Sequence, residues 1–247
     1  AALEHGELFL HYQPKYDAES GALLGSEALM RWEHPEHGLI PPARFIPLAE
    51  ECGLISALGE WALNTVCSQQ RQWLDAGLTA LPVAVNVSAQ QFSHQNIPAL
   101  VACALEENNL PPELLELELT ESLLMRNPEL IAATIRRLRD MRINMAIDDF
   151  GTGYSSLNYL KQFPVQTLKI DRAFVQDIDE QDEQIKLAPA IIALAHSMQM
   201  KVIAEGVETE GQRDYLIRHN CDQFQGYLFA RPMSADAFAG QLRQQTN

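Results

Sequence analysis

Along the chain, short apolar runs with a two-residue beat alternate with longer stretches whose apolar positions recur every three or four residues. Eight runs read as strands: "LFLHYQPKY" (8–16), "ALLGSEALMRW" (22–32), "PVAVNVS" (82–88), "LLELELT" (114–120), "NMAID" (144–148), "QTLKID" (166–171), "KVIAE" (201–205) and "DQFQGYLF" (222–229). The stretches between them carry helix signals. Asn127 before Pro128 is an N-cap with a first-turn proline, and Leu130, Ile131, Ile135, Leu138 and Met141 follow at helical spacing. Thr209 with Gln212 reads as a capping box and Ser234 as the cap of a last helix. Gln181 to Met200 reads as a long helix with an apolar face, and Trp61 and Trp73 lie on another, as packing residues.

Strands interleaved with helices over the whole length predict an α/β fold, a closed (β/α) barrel. One connection departs from that pattern. Only about five residues, "DAESG", separate the first two strands, whereas a parallel crossover needs about a dozen or more. That link can only be a hairpin, so the first strand is expected to run antiparallel to the second. With no internal repeat, low-complexity tract or linker, residues 1–247 read as one domain.

Polar residues gather at or near the ends of the parallel strands: Glu27, Asn86, Glu118, Asp148 with Asp149, Lys169 with Asp171, Glu205 and Gln225. In a barrel these ends converge on one mouth, where the site is built. Carboxylates collected there repel one another and raise each other's pKa values unless cations offset them. Oxygen donors in this number suit hard ions such as Mg²⁺ or Mn²⁺. Adjacent Asp148 and Asp149 suit two ions roughly 3.5–4 Å apart, the arrangement used for in-line phosphoryl displacement. Gly151 and Gly153 let the backbone turn after the pair. Lys169 is the fixed cation, either orienting a water and stabilising charge on phosphate or holding the acids apart. "HPEH" (34–37) reads as a surface loop, "NVS" (86–88) as an accidental glycosylation match and "DIDEQDE" (177–183) as a solvated stretch.

Composition narrows the classes. The net charge of −15, from 33 acidic and 18 basic residues, argues against wrapping long nucleic acid. A small phosphate-bearing ligand remains compatible with local cations. Four cysteines without a CxxC pair fit reduced, buried thiols in the cytoplasm. Neither a membrane-spanning run nor a signal segment is present in this sequence. The start at Ala1, in what reads as a helix end ("AALEHGE"), suggests a piece of a longer protein.

Taken together, "YQP" (12–14), "EALMRW" (27–32), "NVS" (86–88), "ELTES" (118–122), "DDFGTGYSSL" (148–157), "LKID" (168–171), "AEGVE" (204–208) and "QGY" (225–227) resemble, in order, the motifs of the EAL domain. This family is the bacterial phosphodiesterase module for cyclic di-GMP. The resemblance implies a modified TIM barrel with an antiparallel first strand, in agreement with the hairpin argument. It also implies roles. Glu27, Asn86, Glu118 and Asp148 would bind one metal, and Asp148 with Asp149 the second, with Glu205 close by directly or through water. Lys169 would position the hydrolytic water. Gln13, Arg31, Gln225 and Asp171 would contact substrate, Arg31 through phosphate, and Glu121 would hold the loop after "DDF". The implied cofactors are two Mg²⁺ or Mn²⁺ ions, with Ca²⁺ inhibitory. The implied partners are the substrate, a second copy of the chain through that loop, and an upstream sensor or GGDEF cyclase domain in a full-length protein that could be membrane-anchored. Asn220 stands where "GCD" is usual, away from the ligands. Two rival readings are a receptor that holds cyclic di-GMP without cutting it, and an unrelated barrel lyase with Lys169 as base.

Overall fold

The computed structural model describes residues 2–3, 5–125, 127–151, 160–178 and 187–245. Gly153 with the rest of the loop 152–159, the acidic stretch from 179, and the predicted helix start at Gln181 lie outside the described residues.

Nine strands are present among them: β1 (Leu8–Asp17), β2 (Leu23–His34), β3 (Gly38–Ile40), β4 (Val83–Val87), β5 (Leu115–Thr120), β6 (Asn144–Phe150), β7 (Thr167–Ile170), β8 (Lys201–Glu205) and β9 (Gln223–Gln225). The sheet order is β1-β9-β8-β7-β6-β5-β4-β2-β3, and a further β1–β2 pairing closes the barrel. From β2 through β4 to β9 the barrel pairings are parallel. β1 is antiparallel to both its neighbours, β2 and β9. The short-link argument therefore holds.

Two departures have physical causes. The "HPEH" loop is the turn of a hairpin that adds β3 antiparallel to the far end of β2. β2 pairs with β4 only over Ser26–Ala28, so Glu27 stands at the barrel rim although it lies mid-strand. The predicted strand 222–229 lasts only to Gln225. A Cβ on Gly226 would fall 2.2 Å from the Val207 carbonyl oxygen, and the Gly226 carbonyl accepts turn bonds from the Phe229 and Ala230 amides. The chain bends there and leaves Gln225 at the mouth.

Helical signals were mostly legible. Asn127 caps the helix Pro128–Asp140, and Thr209 with Gln212 forms a reciprocal capping box on Glu210–Arg218. Ser234 accepts from the Ala237 amide at the start of Ala235–Gln245. Leu130 is not a core residue, being 58% exposed, whereas Ile131, Ile135 and Leu138 are buried. The apolar helix after 181 is described over Leu187–Ser197. Trp73 is buried against Tyr12 and Phe238, outside the barrel wall. All four cysteines are free, but only Cys67 and Cys221 are buried; Cys52 and Cys103 are exposed, contrary to expectation. Ahead of β1 the described residues form turns rather than a helix end. Among the described residues no helix is long and apolar enough to cross a membrane.

Candidate active site at the barrel mouth

Alternation along each strand decides which side chains enter the lumen. On β5, Leu115, Leu117 and Leu119 pack outward into the hydrophobic core, which turns Glu116 and Glu118 inward. Leu168 and Ile170 do the same for Lys169 on β7, as do Met145 and Ile147 for Asp148 on β6.

Lys169 is fully buried, and its ammonium is the hub of the site. Nζ lies 2.7 Å from Glu118 Oε2, 2.7 Å from Glu205 Oε1, 3.1 Å from Asp148 Oδ1 and 3.4 Å from Glu27 Oε2. Five strands of the barrel thus deliver one cation and four carboxylates to one point. The Glu27 carboxylate also accepts from Asn86 Nδ2 at 2.7 Å and Gln225 Nε2 at 2.6 Å. Gln225 Nε2 donates as well to Gln13 Oε1 at 3.2 Å, and Gln13 Nε2 to the Ala230 carbonyl at 3.3 Å.

One ammonium cannot neutralise four carboxylates, and the titration of the site reflects that. Burial pushes Glu27 up to about 7, with help from Glu118 and Asp148 against Lys169. Burial and the same crowding raise Glu205 well above the ordinary carboxylate range. Burial by itself would raise Glu118 too, but the Lys15 and Lys169 ammonium groups bring it down to about 2. Lys169 itself is held well above its ordinary value, because Asp148, Glu118, Glu205 and Glu27 overcome its desolvation.

Asp149 lies within a bulge in the β6–β7 pairing, between Ile147 and Phe150, and has a positive φ of 54°. The bulge breaks the alternation, so two consecutive aspartates can serve one mouth. Partial desolvation, Asp148 and Asp171 raise Asp149 to about 6. Gly151 follows at φ +101°, where a Cβ would fall 2.6 Å from the Phe174 ring. Its amide donates to Glu121 Oε2 at 2.8 Å, which ties the buried Glu121 to the start of the loop.

Two groups of acids have oxygens close enough to share a cation: Glu27, Glu118 and Asp148, and Asp148, Asp149 and Glu205. In each group the oxygens lie within 4.8 Å of one another. All the donors are hard carboxylate oxygens, so the residues fit Mg²⁺ or Mn²⁺ rather than a thiolate-seeking metal. Asp148 belongs to both groups.

Other expected residues sit at the rim. Arg31 projects from β2 past the barrel, half-buried, with Nη1 donating to the Met30 carbonyl at 2.8 Å. It lines a cleft of about 270 Å³ with Met30, Asn86, Ser88 and Thr120. Asp171 caps the short helix Arg172–Gln176 by accepting from the Ala173 amide, and its side chain also meets that of Asp149. Sequence reasoning missed Lys15 and Glu116. Lys15 Nζ lies 2.6 Å from Glu116 Oε1 and 2.8 Å from Glu118 Oε1. The two-residue spacings Gln13–Lys15 and Glu116–Glu118 were the available signal.

The sequence matches the family model of the EAL domain over residues 1–232. The chain belongs to the EAL domain family. It is 48% identical over 235 residues to the bifunctional diguanylate cyclase/cyclic di-GMP phosphodiesterase MucR of Pseudomonas aeruginosa, covering 95% of this chain and 34% of that protein. It is 44% identical over 237 residues to the cyclic di-GMP phosphodiesterase PdeR of Escherichia coli, covering 96% and 36%. The chain therefore spans about a third of these relatives. Its backbone is similar to the solved PaMucR phosphodiesterase in complex with c-di-GMP, with a TM-score of 0.91, 47% identity and 96% of each chain covered. Membership in this EAL family rests on a match that spans residues 1–232, and so the whole of the described barrel.

Proposed function

We propose that this EAL domain is a metal-dependent phosphodiesterase that opens one 3′–5′ phosphodiester of cyclic di-GMP to give linear pGpG. The observation that carries the reading is the pair of acid groups sharing Asp148 around buried Lys169. Glu27, Glu118, Asp148, Asp149, Glu205 and Glu116 set against Lys15 and Lys169 make six carboxylates to two ammonium groups, a formal charge of −4. Two divalent cations match that charge.

Glu27, Asn86, Glu118 and Asp148 would hold one Mg²⁺ or Mn²⁺, and Asp148 and Asp149 the other, with Glu205 beside them. Bound there, such ions supply Lewis-acid polarisation of a phosphoryl oxygen and a water activated at neutral pH. The chain's own groups do the rest. Lys169 keeps its proton and donates from below to the incoming water or to the charge that develops on phosphate. Glu205 or Asp149, as carboxylate, would take a proton from that water, and the carboxyl so formed would return one to the departing 3′ oxygen. Water adds to phosphorus, the P–O3′ bond breaks, and the anionic product is pGpG. Arg31 at the rim pairs with a phosphate, Gln13, Gln225 and Asp171 contact the nucleotide, and Glu121 steadies the loop through Gly151.

The cellular reading that goes with it is a cytoplasmic catalytic module, active as a homodimer, within a longer protein with an upstream sensor or cyclase domain. The naming of MucR as both cyclase and phosphodiesterase supports the longer protein with a cyclase domain. Incubation with cyclic di-GMP and Mg²⁺ or Mn²⁺, with and without EDTA, tests the reading by ion-pair chromatography. Metal-dependent pGpG is expected. Tight retention of intact ligand without product would make the chain a receptor instead.

A further inference from the structure

Beneath the acid cluster the lumen carries a second charged layer. A barrel interior is ordinarily filled by branched aliphatic side chains. Here Lys15, 4% exposed, crosses from β1 to reach Glu116 and Glu118 on β5, although the two strands are not neighbours in the sheet. Small residues leave the room. Lys15 is paired with Gly25, Glu116 with Ala84 and Glu118 with Ala146. The two alanines add only a methyl group at their positions, and at position 25 a Cβ would fall 2.5 Å from the Pro82 carbonyl oxygen.

Glu118 is thereby held at both oxygens, Oε1 by Lys15 at 2.8 Å and Oε2 by Lys169 at 2.7 Å. The two holds differ in kind. Lys169 stands where both acid groups meet, so an arriving cation competes with it. Lys15 approaches from the opposite side, and its other ion pair is to Glu116, which belongs to neither group. Its grip on Oε1 therefore persists when a cation enters above.

We propose that Lys15 is a positioning residue that retains Glu118 Oε1, restricts this carboxylate to a single donor oxygen, and so favours small octahedral cations over calcium. The physical reason lies in the ions. Mg²⁺-like ions take single oxygens in near-octahedral geometry at about 2.0–2.1 Å, whereas Ca²⁺ takes about 6–8 oxygens and readily chelates a carboxylate through both. The inference rests on the metal reading given above.

Calorimetric dissociation constants for Mn²⁺ and for Ca²⁺ test it on three proteins: wild type, Glu116→Gln, and Lys15→Met/Glu116→Gln. The double variant removes one positive and one negative group, so the formal charge of the site is unchanged. The preference for Mn²⁺ over Ca²⁺ is expected to fall about tenfold in the double variant and to stay at the wild-type ratio in Glu116→Gln. Affinities for both ions that change in parallel in the double variant overturn the proposal, because charge alone would then explain them. Should the double variant not fold, a crystal structure of the Mn²⁺-loaded wild-type protein decides. Glu118 bound through one oxygen, with Oε1 still on Lys15 Nζ, supports the proposal; chelation through both oxygens refutes it. A wild-type protein that binds no Mn²⁺ refutes instead the metal reading on which this rests.

Discussion

Asp148→Asn separates metal binding from folding, because of where Asp148 sits. Its carboxylate is the member common to both acid groups, and it accepts the Asp149 amide at 2.9 Å. An asparagine keeps one oxygen for that amide and for Lys169, while Lys169 retains Glu27, Glu118 and Glu205. The metal-free variant should therefore stay within about 1 kcal/mol of wild type, as substitutions that leave no buried group unpaired generally do. Metal binding should not survive. A ligand at about one hundred times its Kd stabilises a fold by about 2.7 kcal/mol. For a domain of this size each kcal/mol moves Tm by about 2–4 °C. Wild type should thus gain about 5–10 °C on saturation with Mn²⁺, and Asp148→Asn nothing resolvable. Turnover of cyclic di-GMP should fall at least about 10³-fold, the upper end of what one preorganised electrostatic group contributes. Thermal melts with and without Mn²⁺, beside chromatography of pGpG, measure both. A variant that keeps the Mn²⁺-induced rise in Tm, or turns over within tenfold of wild type, refutes the shared-ligand argument.

Other consequences follow from the same geometry. Ca²⁺ should bind, more weakly than Mn²⁺, yet support little turnover, since its looser coordination misplaces the attacking water; calcium-supported rates near those with Mn²⁺ would contradict that. Because Glu27 and Asp149 are raised to about 7 and about 6, they carry protons that a cation must displace. Mn²⁺ affinity should therefore fall as pH drops from 8 to 5.5, by up to about tenfold per pH unit for each proton released, and calorimetry in buffers of different ionisation enthalpy counts those protons. The same raised values have the opposite sign for the metal-free fold. The folded state holds protons that the unfolded chain has lost, so their contribution to stability declines as pH rises from about 4.5 to 7; urea midpoints without metal that rise over this window would show the assignment to be wrong. Gly151→Ala forces a Cβ against Phe174 at a positive φ; the cost should be about 2 kcal/mol, read as a Tm lower by about 4–8 °C, with activity reduced through the displaced Glu121 contact. An unaltered melt would mean that the turn accommodates a side chain.

What could be read from the chain alone follows the reach of each physical rule. Strand periodicity is local, so seven of the eight predicted strands appear with ends shifted by no more than two residues, and the five-residue link fixed the direction of β1 by chain length alone. The eighth was cut short by a tertiary event, the backbone of Val207 against Gly226, which no local pattern announces. Helical spacing placed Leu130 on its helix but not its burial: the edge of a stripe is set by what packs there, and at Leu130 solvent does. The cysteines were assigned by residue type, and type says nothing of which helix face a residue occupies. In the site, the acids were visible because strand ends converge in a barrel whatever their sequence separation. Lys15 and Glu116 were not, since they lie one pleat below the ends, where aliphatic filling is the rule. Their charges make sense only as a pair, and the pairing spans 101 positions of sequence and the width of the lumen. Glu116 without Lys15 would lose its ion pair, whereas Lys15 without Glu116 would still hold Glu118. Only the register sets Lys15 opposite Gly25, Glu116 opposite Ala84 and Glu118 opposite Ala146.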